Sequence, residues 1–533
     1  MSPAAGFAVT VTGEQLTAAR DTVLATAESD HVVAALAAQD PGLWGPAARD
    51  EASIRLGWLD SPTSSRELLP RLAALRDELL ADGLDHVVLA GMGGSSLAPE
   101  VICASAGAEL TVVDTTDPGQ IKAALTDRLA RTVVVVSSKS GGTIETDSHR
   151  RAYSQAFRDA GIDTGPHFIA VTDPGSSLEQ TARDEGFRAI FLADPNVGGR
   201  YSALTAFGLV PSALAGVDVA ALLDDAAALR AVLGEHSGND ALELGAVLGG
   251  AGRDGRDKVV LADAGSGIVG FGDWAEQLIA ESTGKDGTGL LPVVVRSPDS
   301  PGASGGLDIH PVRLGHDAGA EPHTTVTGSL GAQFLGWEYA TAVAGWTLRI
   351  NPFDQPNVTE SKENTARFLR SGLPRESPGL VDGAVETYTD PGLLGSADHL
   401  ADVLAALMDS IPERGYLAVM AFLDRHADSA VAEVRDALAA RTDRPVTFGW
   451  APRFLHSTGQ FHKGGPQVGA FLQITGVVVE DLVIAGRDYT FGTLQAAQAA
   501  GDRAALTKRG RPLVRLHLTD RPKGVRQLLE AAR

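Results

Sequence analysis

An α/β fold with parallel-rich sheets flanked by helices is predicted by three features of the 533-residue chain. Short, uniformly apolar runs recur along it. Glycine-rich turns end several of them. Stretches of helical period separate them. Apolar runs alternating with helices are what strands covered on both faces look like in sequence. Hydrophobic residues at 44% with aromatics at only 5% suit a helix-rich protein of this class.

Taken in order, residues 14–85 read mainly as helix. Leu72, Leu75 and Leu79 recur at helical spacing between Pro70, a helix start, and the break at Asp82-Gly83. His86–Ala90 is a strand entering the turn Gly91-Met92-Gly93-Gly94, with a helix from about Ser96. Leu110–Asp114, Thr132–Val136, His167–Thr172 and Ala189–Leu192 are further strands. The pattern restarts at Lys258–Ala262, followed by Gly265-Ser266-Gly267 and a helix over Asp273–Ser282. Leu291–Val295 is apolar again, Ser297–Gly306 is a loop, and 328–348 is helical. Tyr416–Met420 and Val446–Trp450 are late strands. The expected organisation is a helical N-terminal segment over 1–65, a first lobe over 66–240, and a larger second lobe with a C-terminal extension over 241–533.

The formal net charge is −22, which repels a polyphosphate backbone and argues against general nucleic-acid binding. No stretch approaches the roughly 18–20 apolar residues of a membrane helix. Met1–Thr12 has no basic-then-apolar leader pattern. A soluble, cytoplasmic protein is expected. The single cysteine, Cys103, lies in an apolar stretch and reads as a buried, inert thiol, so no disulfide or cysteine metal cluster is available. No tight histidine ligand triplet stands out; His310, His316 and His323 fall in loop-like sequence, and no metal site is expected.

Ligands of such sheets sit at the carboxyl ends of strands. The turn Gly91–Ser96 there resembles a dinucleotide fingerprint, with Asp114 at the end of the next strand as ribose acceptor, but Ser96 stands where the third glycine belongs. A dinucleotide, another anion or a purely structural turn all fit. The run Ser137-Ser138-Lys139-Ser140-Gly141-Gly142-Thr143 is more specific. Hydroxyls, one ammonium and backbone N–H groups freed by glycine converge at a helix start, which suits one phosphate group. Gly284-Lys285 does not make a Walker loop, because Ile279 and Asp286 occupy its required positions.

Five strings together, Gly91–Ser95, Ser138–Thr143, Gly198–Ser202, Gln277–Lys285 and Asn351–Pro356, resemble the glucose-6-phosphate isomerase family. The likeness is nearest to the isomerase portion of the bifunctional transaldolase/glucose-6-phosphate isomerase branch, without a visible transaldolase domain. The resemblance implies two sugar-isomerase (SIS) lobes and interconversion of glucose 6-phosphate and fructose 6-phosphate with no cofactor. It also implies a homodimer whose ring-opening histidine comes from the other subunit. Residue by residue, Ser95, Ser138, Lys139, Ser140 and Thr143 match the phosphate region, Arg200 the arginine that steadies the enediolate, and Gln277 and Glu281 the substrate contact and base. Lys362 resembles the lysine of the final family helix.

The chemistry is consistent with those types. Moving a proton between adjacent carbons needs one base that takes and returns it, and Gln277 and Glu281, at i and i+4, share a helix face. A fixed guanidinium lowers the cost of the enediolate charge. Opening the sugar ring suits a histidine. His456 and His462 are the candidates in Phe454–Pro466, and the Gly-Gln-x-His and His-x-Gly-Gly-Pro strings resemble family loops around the ring-opening histidine, which points to His462. Both follow Lys362, whereas the family histidine precedes its lysine, so either the C-terminal lobe is rearranged or the histidine's role has moved. The alternatives are a non-catalytic sugar-phosphate-binding protein and an NAD-dependent oxidoreductase using the Gly91 turn and Asp114.

Overall fold

The computed structural model describes residues 6–316 and 319–533. The first five residues of the Met1–Thr12 stretch lie outside the described residues. Three sheets organise the described chain. It opens on a strand, β1 (Phe7–Thr12), where a helical segment was expected. Helices Glu14–Ser29, Val32–Ala37 and Leu69–Ala81 follow.

The first sheet holds β2 (His86–Gly91), β3 (Thr111–Val113), β4 (Thr132–Ser137), β5 (Phe168–Thr172) and β6 (Ala189–Leu192) in the order β3-β2-β4-β5-β6. Every pairing is parallel. β2, β4 and β5 are buried along their whole length, as their unbroken apolar runs predict.

The second sheet adds β7 (Lys258–Ala264), β8 (Leu291–Val295), β9 (Ile309–Gly315) and β10 (His323–Gly328). Its order is β1-β10-β9-β7-β8, with only β1 antiparallel to its neighbour. His310 and His323 therefore lie in strands, not in the loop expected there. β10 reads His-Thr-Thr-Val-Thr-Gly, and its threonines are held by sheet pairing rather than by an apolar run.

The third sheet comprises β11 (Leu380–Asp382), β12 (Val385–Thr389), β13 (Tyr416–Phe422), β14 (Val446–Trp450), β15 (Gly469–Gly476) and β16 (Leu513–Leu518). It runs β11-β12-β16-β15-β13-β14, parallel from β16 to β14 and antiparallel at the β11–β12 edge. The region expected as an extension thus carries a sheet of its own. Its core is continuous with its neighbours. Tyr416 and Phe471 pack with Val260 and Leu291 of the second sheet, and Phe491 and Leu494 pack with Val134 and Ala170 of the first. Cys103 is buried, and burial pushes its thiol up to about 12. Among the described residues, no helix is long and apolar enough to cross a membrane.

One ion pair fastens three helices of the C-terminal region. Lys463 Nζ, in helix Gly459–Gly464, lies 2.7 Å from Asp502 Oδ1 in helix Phe491–Lys508, both side chains 1% exposed. Asp502 also accepts from Ser361 Oγ of helix Val358–Ser371 at 3.4 Å. Removing one member strands the other charge in the interior. Lys463→Met is expected to cost about 3–5 kcal/mol in urea unfolding. A loss below about 1 kcal/mol, the range of a surface pair, would show the pair to be solvated.

Candidate active site

Two glycine turns of the first sheet and the helix Phe271–Thr283 meet at the carboxyl ends of the strands. β2 leads into a turn in which Gly93 takes φ +53°, and a Cβ there would lie 2.7 Å from Gln277 Nε2. A Cβ on Gly94 would lie 2.0 Å from the carbonyl oxygen of Gly199. The turn therefore has to be glycine, because the Gly199-Arg200 backbone presses against it. Ser95 sits on this turn, half-buried.

β4 leads into the second turn. Buried Ser138 bonds through Oγ to Thr143 Oγ1 at 3.2 Å, and Thr143 precedes helix Ile144–Asp159. Ser140 and Thr143 line a cavity of about 250 Å³, together with Glu145, Lys362, His456 and Gln498. Lys139 takes another direction. Its Nζ pairs with Asp173 at 2.6 Å and reaches the Pro195 carbonyl at 3.3 Å, outside the cavity wall.

Gln277 and Glu281 share the helix face predicted from their spacing. Gln277 Nε2 donates to Glu281 Oε2 at 3.0 Å and to the His456 carbonyl at 2.8 Å. Glu281 thus stands one hydrogen-bonded residue away from the cavity wall. Arg200 is buried beside it, Nη1 to Glu281 Oε1 3.7 Å. The other Arg200 donors are committed: to Ser282 Oγ at 2.8 Å, Gln355 Oε1 at 2.9 Å, and the Pro352 and Asp354 carbonyls at 2.7 and 3.0 Å. Lys285 holds the same loop through the Asn351 carbonyl and Asp354, and burial with the Arg200 charge pushes its ammonium down to about 8. Two cations thereby fix the Asn351–Pro356 loop, from which helix Val358–Ser371 carries Lys362 to the cavity.

The histidines separate clearly. His456 ends a 3₁₀ turn, Arg453–His456, and its Nε2 lies 3.0 Å from Glu145 Oε1 at the cavity. His462, the sequence favourite, does not join the site. Its Nδ1 bonds Tyr416 Oη at 2.9 Å and its ring stacks on Tyr416 in the core. Burial and the neighbouring Lys463 and Arg511 charges keep that ring neutral, well below the ordinary histidine value. The two stand six positions apart, but His462 lies inside a buried helix while His456 precedes it.

The turn bearing His456 is anchored by Arg453. Its Nε donates to Asp114 Oδ2 at 2.6 Å and its Nη2 to Glu100 Oε2 at 2.5 Å. Asp114, the expected ribose acceptor, is thus taken by a guanidinium, which removes the main support for a dinucleotide site.

Two wall residues were missed in sequence. Glu145 lies two residues past the hydroxyl turn, in the first turn of helix Ile144–Asp159, and was given no role. Gln498, from the alanine-rich helix Phe491–Lys508, donates to Glu145 Oε1 at 2.7 Å and accepts from Thr116 Oγ1 at 2.8 Å, and carried no sequence signal. Glu276 was missed as well. It accepts from Ser457 Oγ at 3.1 Å, and burial with the Asp273 charge pushes its carboxyl up to about 8.

Burial opposes ionisation of Glu145, but the charge and hydrogen bond of His456, with Lys362 nearby, hold its carboxyl down to about 2 against an ordinary 4.5. A depressed carboxylate stabilises the fold above the unfolded value, and that contribution fades as pH falls through the folded one. Glu145→Gln is therefore expected to lower the urea midpoint near neutral pH. The gap to wild type should narrow as pH drops from 4.5 toward about 2. A gap independent of pH over that range would contradict the ionic role.

Comparison with known proteins gives consistent relatives. Residues 79–247 match the family model described as Phosphoglucose isomerase. A glucose-6-phosphate isomerase of Synechococcus sp. (strain JA-3-3Ab) is 38% identical over 207 residues, 37% of this chain and 39% of that protein. One of Rippkaea orientalis (strain PCC 8801 / RF-1) is 33% identical over 258 residues, 43% and 48% of the two. The chain thus spans between about two fifths and a half of the length of the curated relatives it matches. The crystal structure of a glucose-6-phosphate isomerase from Chlamydia trachomatis superposes with a TM-score of 0.56 at 18% identity, over 69% of this chain and 90% of that one. A hypothetical protein from Thermus thermophilus gives a TM-score of 0.58 at 23% identity, over 68% and 99%. The fold is shared with both. The family match ends at residue 247, before Gln277, Glu281, Lys362 and His456.

Proposed function

From the phosphoglucose isomerase domain matched at residues 79–247, we propose that this chain interconverts glucose 6-phosphate and fructose 6-phosphate through an enediol. The observation that carries the reading is one linked group of side chains. Glu281 is bridged by Gln277 to the carbonyl of His456, and the His456 ring faces the same cavity as Ser140 and Thr143. That linkage supports a base, a ring-opening acid and an anion cradle acting on one substrate.

The sugar phosphate is held at its phosphate by the hydroxyls of Ser138, Ser140 and Thr143 and by backbone N–H groups at the start of helix Ile144–Asp159. Ser95 serves the same end from the neighbouring turn. Lys139, paired with Asp173, adds charge from behind the loop rather than a direct contact. His456, hydrogen-bonded to Glu145, donates a proton to the ring oxygen and the chain opens. Glu281 then removes the proton from C2 and returns it to C1, or the reverse. One carboxylate suffices because the two carbons are bonded and the enediol is planar. Arg200 sets a fixed positive charge beside Glu281, where the developing oxyanion is stabilised without reorganisation. Gln277 orients the carboxylate, and Lys362 contributes a further cation from the opposite wall. The reaction as written calls on no metal or redox cofactor. The presence of a base beside the cradle favours catalysis over a purely binding role.

A coupled assay of fructose 6-phosphate conversion tests the reading. Glu281→Gln is expected to lower kcat by about 10³-fold with substrate affinity largely kept. Ser138→Ala should raise KM about tenfold with little change in kcat. His456→Ala should slow turnover of the closed-ring sugar, while His462→Gln retains turnover per folded chain. Full activity in Glu281→Gln would end the proposal.

A further inference from the structure

A second cavity, of about 150 Å³, lies between helix Phe491–Lys508 and the third sheet. Phe422, Thr475 and Gly476 mark its floor, at the carboxyl ends of β13 and β15. In parallel sheets that is the ligand-holding end. Its polar wall carries two guanidiniums, although the chain as a whole carries −22: Arg503 and Arg515 stand with Gln495, Thr475 and His517, whose ring is pushed below the ordinary histidine value by burial and the Arg515 charge.

Glu376 is the one acid among the wall residues. It follows helix Val358–Ser371, and its carboxylate caps both guanidiniums, Arg503 through Nη2 and Arg515 through Nη2 at 3.3 Å. Arg515 is further held over the Tyr388 ring at 3.8 Å. His517 Nδ1 bonds Thr475 Oγ1 at 3.0 Å. Glu386, which accepts from the Tyr388 hydroxyl at 2.6 Å, stands near Arg515 as a second carboxylate. Burial and the Arg503 charge push the Arg515 guanidinium below its ordinary value, with Glu376, Tyr388 and Glu386 acting in the other direction.

The hydrogen-bond inventory points the same way. Nε of Arg503, Nε of Arg515 and Nε2 of Gln495 are buried without partners among the described residues, and Gln495 is only 4% exposed. Buried donors are normally satisfied, and each orphan costs about 1–3 kcal/mol. The carboxylate of Glu376 leaves all three unpaired. A phosphate group brings three terminal oxygens, enough to accept from all three donors, and a charge that both guanidiniums attract.

We propose that this cavity is a second, regulatory site for a small phosphate monoester, which binds Arg503, Arg515 and Gln495 by displacing Glu376. The route to the active cavity is short. Helix Phe491–Lys508 presents Gln495 and Arg503 to the second cavity, and Gln498 to Glu145. The segment bearing Glu376 continues the helix that carries Lys362. Release of Glu376 thus frees a strap tied to the Lys362 helix. The regulatory half of the proposal rests on the isomerase reading; the binding half does not.

Equilibrium dialysis of the intact chain with radiolabelled inorganic phosphate tests it without reference to turnover. Phosphate that survives in Ser138→Ala/Thr143→Val and is lost in Arg503→Met/Arg515→Met supports the second site. Phosphate lost in the first variant and fully retained in the second overturns it. Glu376→Gln removes the internal competitor while leaving the arginines in place. It is expected to tighten the second site about tenfold, and unchanged affinity overturns the displacement even if the arginine variant fails to fold. In the coupled assay, inorganic phosphate should change kcat in wild type and leave it unchanged in Arg503→Met/Arg515→Met. An identical response in both overturns regulation, whereas an inactive wild type with the dialysis result intact overturns only the isomerase reading.

Discussion

The docking of one 3₁₀ turn onto the first sheet is the constraint on which the candidate site depends. Arg453 enters from the end of β14 and is clasped by Asp114 and Glu100, which lie beside β3 and in helix Leu97–Ala106. The guanidinium and Asp114 are both taken largely out of water, so neither tolerates loss of the other. Three residues later His456 arrives at Glu145. Without that clasp the third sheet would still have its own core, and its histidine would be held at the glycine turns only by the hydrogen bonds of Gln277, Glu145 and Glu276.

The same clasp decides between chemistries. A ribose acceptor must have a carboxylate free to face the nucleotide. Asp114 is instead neutralised by Arg453, with Arg425 a further 3.8 Å away. The glycine turn after β2 is likewise filled, with Gln277 and the His456 backbone against Gly93 and the Gly199 carbonyl against Gly94. What looks in sequence like a nucleotide fingerprint is, in space, the seat for neighbouring backbone.

Legibility in the sequence followed how local the cause was. β2, β4 and β5 were readable because both faces are buried and every residue is apolar or β-branched through most of their length. β1 was not, since its partner β10 lies more than 300 positions away and reads His-Thr-Thr-Val-Thr-Gly, with a single large apolar residue. β15 hid because Gly469 and Gln473 interrupt its apolar run, and Gln473 is buried only by donating to the Ala499 carbonyl at 3.1 Å. In the site, Gln277, Glu281 and the hydroxyl turn were readable as contiguous strings. The direction of Lys139 was not, because Asp173, which claims it, belongs to a different strand end. Nor was the choice of histidine. It hinges on Tyr416, whose hydroxyl fixes one imidazole in the interior, and on Glu145, which receives the other.

The clasp of Arg453 and Asp114 also bears on how the chain is made. The two residues stand 339 positions apart. In synthesis from the N-terminus, Asp114 emerges long before its guanidinium and keeps its charge in water until the late strands arrive, so the first sheet must fold without it.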